Sequence, residues 1–88
     1  MCTYATVQTG VDGSAKGPNG RWFQVSDATV YFDHPVHAMA DHTLNIDLAD
    51  PTRGPGARVA VELTASSARA LVEAIQAALA SAPAALTA

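Results

Sequence analysis

The chain has a single cysteine, no run of basic residues and no long apolar stretch. A lone Cys2 cannot close an internal disulfide, so no oxidising compartment is implied and the thiol must be buried, reactive or a ligand. Five Lys plus Arg against eight Asp plus Glu leave a net charge of −3. That balance gives no electrostatic footprint for a phosphate backbone, and nucleic-acid binding is not expected. Met1 to Gln8 has neither the basic start nor the apolar core of a signal peptide, and no stretch is long enough to span a membrane. A cytoplasmic protein is therefore expected. The segment Gly13-Ser14-Ala15-Lys16-Gly17 lacks the spacing of a phosphate-cradling loop, and no nucleophile-elbow pattern accompanies the serines and histidines. Neither a nucleotide site nor a hydrolase triad gains support. There is no internal repeat and no dividing linker.

What is present suits one folded domain over residues 1–88, with 49% hydrophobic and 15% charged residues. A domain this small must supplement its core by association, a metal or tight helix packing. Thr3 to Thr9 reads as a first strand ending at Gly10, and Gly10 to Gly20, with Asp12-Gly13, Gly17-Pro18 and Asn19-Gly20, reads as a loop. A short strand over Trp22 to Val25 can follow. From Ala28 the residues alternate, with Ala28, Val30 and Phe32 opposed to Thr29, Tyr31 and Asp33. His42, Leu44, Ile46 and Leu48 share one face of the next strand, and Arg58 to Thr64 alternates in the same way. Asp50-Pro51 and Gly54-Pro55-Gly56 mark the turn between them. Ala68, Leu71, Val72, Ile75, Ala78 and Leu79 fall at helical spacing after a cap at Thr64 or Ser66, and Pro83 ends the helix before a frayed tail. The expected fold is α+β: an antiparallel sheet of four to five strands covered on one face by a C-terminal helix.

The chemistry concentrates in His34, His37 and His42, all the histidines of the chain within nine positions. Pairing the flanking strands as a hairpin with Phe32 opposite Leu44 also sets Val30 opposite Ile46 and Ala28 opposite Leu48, so every pair is apolar. In that register His34 faces His42, from which two imidazoles can converge on one ion. His37, three residues after His34, is expected to fold back over the strand ends as a third ligand. Imidazole suits zinc, iron or copper alike. Asp33 and Asp41 each precede a histidine and can orient an imidazole or enter as a carboxylate ligand, although alternation points Asp33 away from His34. Cys2 is the natural candidate for a further ligand. It can equally be a small buried side chain, and a reactive N-terminal thiol exposed by loss of Met1 ranks last.

The competing reading is a non-catalytic interaction or accessory module, in which the histidines close a turn through loop carbonyls. Two histidines on apolar faces of adjacent strands need partners, which favours the metal. Lys16 and Arg21 can steer an anionic small-molecule ligand, but solvated loop charges are the simpler reading. Trp22, Phe23 and Tyr31 suit a core or subunit interface better than a ligand pocket. One helix cannot cover two sheet faces, so Thr29, Tyr31, Asn45, Asp47 and Glu62 should meet water or a second subunit, and a homodimer is expected.

Met1-Cys2-Thr3-Tyr4, Lys16-Gly17-Pro18, Tyr31 with Asp33-His34-Pro35 and His37, and His42-Thr43-Leu44-Asn45-Ile46-Asp47 together give the chain a likeness that runs nearly end to end. By these motifs it resembles a family of short actinobacterial proteins. The resemblance implies kinship and brings no activity with it.

Overall fold

Strict alternation of apolar and polar residues builds the sheet. The computed structural model describes residues 4–88, in which β1 (Thr6–Lys16), β2 (Trp22–Asp33), β3 (Thr43–Ala49) and β4 (Arg58–Leu63) form one sheet in sequence order. Every neighbouring pair is antiparallel. The helix α1 (Ala65–Ser81) follows and folds back against β3 and β4, giving an α+β fold. Phe32 pairs with Leu44, Val30 with Ile46 and Ala28 with Leu48, the register expected from alternation. The rows continue into β4 as Leu63, Val61 and Val59.

Two boundaries differ from expectation. The segment after Gly10 is not a loop, because β2 is a single strand whose first half supplies it with partners from Gly13 opposite Val25 to Lys16 opposite Trp22. Asp12-Gly13 belongs to an irregularity of register between Gly10 and Gly13 in place of a turn, and a bulge of this kind absorbs residues without ending a strand. The reversal falls at Asn19-Gly20, where the Gly17 N–H donates to the Arg21 carbonyl at 2.8 Å. Gly20 has φ of 77°, a conformation that favours glycine. Thr3, assigned to the first strand from sequence, lies outside the described residues. The tail is also more ordered than expected: Ala84–Leu86 forms a 3-10 turn closed by the Leu86 N–H on the Pro83 carbonyl at 2.9 Å.

Thr64 caps α1, its hydroxyl accepting from the Ser67 N–H at 3.2 Å. Only the first turns press on the sheet. Ala65 and Ala68 are half-buried, whereas every residue from Arg69 to Ser81 is exposed. The helix thus covers one end of the apolar face and leaves the rest open.

The deepest burial lies on the other face. Thr43 and Asn45, at 1% and 4% exposure, are the buried polar residues among those described. The segment joining β2 to β3 folds over that side, and the Thr43 hydroxyl donates to Asn45 Oδ1 at 2.7 Å. Part of the face expected to meet water or a second subunit is therefore occupied by the chain itself. Thr43→Val keeps the shape and strands a buried acceptor, a change that costs about 1–3 kcal/mol. Urea unfolding should show that loss with an unchanged slope; a variant as stable as the parent would mean that the bond contributes nothing.

Candidate metal site

The β2–β3 ladder ends at Asp33 opposite Thr43, and the next position on each strand is a histidine. The rings of His34 and His42 are tilted against each other with centroids 4.3 Å apart. Asp41 serves both. Its backbone carbonyl lies 2.9 Å from His34 Nδ1 and its carboxylate Oδ2 lies 2.7 Å from His42 Nδ1. A carbonyl and a carboxylate can only accept, so each ring carries a proton on Nδ1 and, when neutral, its lone pair on Nε2.

His42 is fixed on its other sides by aromatic rings. It stacks on Phe32 with centroids 5.6 Å apart and planes 10° from parallel, and the Tyr4 ring lies 6.3 Å away. Its Nε2 is buried and, among the described residues, has no hydrogen-bond partner. One donor atom each from His34, Asp41 and His42 falls within 4.8 Å of the others, so this group could hold a metal ion. His34 and Asp41 are exposed and His42 half-buried, which leaves the group open to solvent.

His37 does not join this group. Its backbone N–H donates to Glu62 Oε1 at 3.1 Å, beside the N–H of Ala38 at 2.8 Å on the same oxygen and that of Val36 on Oε2. Alternation places Glu62 in the row of Tyr31 and Asn45, on the face away from the helix, so a loop segment that satisfies it must lie there too. His37 accordingly lines a cleft of about 530 Å³ with Tyr31, Asn45, Asp47, Arg58 and Glu62. Arg58 pairs with Asp47 at 2.7 Å across this cleft. Burial and the neighbouring Asp47 carboxylate push the Tyr31 hydroxyl above its ordinary value, keeping it protonated at neutral pH.

Cys2 lies outside the described residues. Asp33 turns to the chain, its Oδ1 accepting from the His34 N–H at 2.6 Å. Lys16 pairs with Trp22 at the opposite end of the β1–β2 ladder from the histidines, with Arg21 next to it in the turn. Sequence reasoning reached Asp41 through its place beside His42 but gave Glu62 no role beyond an outward-facing position. The signal for Glu62 was the run Val36-His37-Ala38, whose N–H groups have no strand to pair with and need an acceptor elsewhere.

The whole chain, residues 1–88, matches the model of a family of unknown function (DUF6295), and the chain belongs to that family. No curated protein and no solved structure matches it. Among the described residues no helix is long and apolar enough to cross a membrane.

The Glu62 clamp has a pH signature. The N–H groups of Ala38, Val36 and His37, in that order with burial opposing them after the first two, hold the carboxyl below its ordinary 4.5. Because the folded value is the lower one, the stabilisation is fully present above 4.5 and is lost as pH falls through the folded value. The protection of the Val36, His37 and Ala38 amides, relative to the intrinsic exchange rate at each pH, should be high at neutral pH and fall as the carboxyl protonates, and Glu62→Gln should lower it at neutral pH while converging with the parent in acid. Equal protection in parent and variant at neutral pH would show that the carboxylate does not hold the loop.

Proposed function

We propose that this member of a family of unknown function binds a transition metal ion, of the zinc, iron or copper class, through the imidazoles of His34 and His42. Asp41 holds both rings in place, and Cys2 supplies a thiolate. The Nε2 of His42, buried and without a hydrogen-bond partner among the described residues, carries this reading. A desolvated nitrogen lone pair with nothing to bind is costly. An imidazole whose Nδ1–H is held by a carboxylate is arranged as a metal-ligating histidine commonly is, the carboxylate fixing the tautomer and raising the basicity of the ligating nitrogen.

Turn closure alone accounts for the two Nδ1 bonds to Asp41. It leaves Nε2 unexplained. A thiolate and two imidazoles suit borderline metals. His37, turned toward Glu62, is left out of the set. The exposure of His34 and Asp41 gives a bound ion room for water or a small-molecule donor, as an open metal site requires.

Untagged protein should carry stoichiometric metal by elemental analysis, and an ion present at about 100 times its Kd should add about 2.7 kcal/mol of stability. His42→Ala should abolish binding. Asp41→Asn should weaken it by about 10- to 100-fold, the usual effect of losing an orienting partner. Cys2→Ser should remove the thiolate charge-transfer absorption of the cobalt-substituted protein. Metal-free protein whose melting temperature ignores added zinc, iron and copper overturns the reading.

A further inference from the structure

The face that carries the helix is unfinished. Leu71, Val72, Ile75 and Leu79 form a stripe along α1 at helical spacing and are 40 to 57% exposed. Opposite them, Val30, Leu44 and Ile46 of the sheet are only half-buried, because α1 rests on the sheet through its first turns alone. The space between stripe and sheet is an almost wholly apolar groove of about 300 Å³. Arg69 is its one charged lining residue.

The surface area states how much is missing. The chain exposes 6442 Å², whereas a compact monomer of its mass exposes about 4,900 Å². Its radius of gyration is 14.4 Å, against about 12 Å for a compact chain of this length. The excess of roughly 1,500 Å² per chain is in the range that each partner buries in an obligate homodimer, where the interface resembles a core cut in half.

We propose that two copies of this chain associate through this face, each placing the exposed stripe of its α1 against the groove between helix and sheet of the other. A second copy fits because each chain offers both complementary parts, an apolar ridge and an apolar groove, so a two-fold arrangement satisfies both at once. The net charge of −3 is too small to oppose self-association. With few cations on the helix, an anionic membrane surface is a poorer match. The expectation of a homodimer from sequence placed the contact on the polar sheet face; the exposed helix stripe and the apolar groove beside it place it on the apolar one. This inference does not depend on the metal reading.

Sedimentation of the full chain across a concentration series tests it. The parent should sediment at twice the chain mass at micromolar concentration, and its melting temperature should rise with concentration. Ile75→Glu, at a position already half exposed in one copy, should keep its helical circular dichroism and weaken the dimer at least tenfold. Glu73→Gln, on the helix face away from the stripe, should leave the dimer intact. Amide exchange gives a second measurement: in the parent, protection over residues 70–80 should grow with concentration. A parent that stays monomeric, including one that instead binds lipid vesicles or another protein, overturns the proposal. So does a dimer that survives Ile75→Glu, as one paired edge to edge through β1 would.

Discussion

The register of β2 against β3 is the constraint on which the rest depends. Three apolar rows cross the sheet, Ala28–Leu48–Val59, Val30–Ile46–Val61 and Phe32–Leu44–Leu63. A slip of one residue would turn every member of a strand to the opposite face, so the rows hold each other in place. Two consequences follow at the sheet's end. Positions 34 and 42, one step beyond the last pair, inherit the apolar side and bring two imidazoles together. Tyr31, Asn45 and Glu62 inherit the other side, and the Glu62 carboxylate is thereby aimed at the loop that leaves β2.

That loop is held by two carboxylate residues, one at each of its faces. Pro35 has no N–H, and residues 36–38 have no strand to pair with, so their backbone donors need an acceptor. Glu62 accepts all three. At the other end Asp41 reverses the arrangement: the donors are side chains, and the acceptors are one backbone carbonyl and one carboxylate. The loop therefore straddles the sheet's end, with its first half committed to the polar face and its last residue to the histidine pair. His37 is taken from the cluster by its own backbone, since an N–H bound to Glu62 fixes where its side chain can start.

Elements governed by alternation were legible in the sequence. The hairpin register, the Thr64 cap, the stop before Pro83 and the proximity of His34 to His42 follow from residues that are near in sequence or repeat with a strict period. Elements governed by distant partners were not. Gly10 and Asp12-Gly13 carry every local sign of a turn, yet the segment is a strand because Trp22 to Val25 lie alongside it. His37 looked like a ligand because it stands three residues from His34, and the competing acceptor lies 25 positions away. Asp41 was legible as a neighbour of His42, but its carbonyl bond to His34 could not be read before the loop's path was known.

Small domains rarely bury enough apolar surface alone. Here that shortage and the histidine pair meet on one side of the sheet. Phe32, on which His42 stacks, also lines the cleft beside Leu44, Ala65 and Ala68 where the first turns of α1 meet the sheet. Covering the apolar face would remove water from the Phe32 side of His42 while leaving exposed Asp41 at the rim. A drier surrounding strengthens the His42–Asp41 bond, because charge-assisted hydrogen bonds gain as the local dielectric falls. Association and ion binding would therefore favour one another through His42 even though they use different residues.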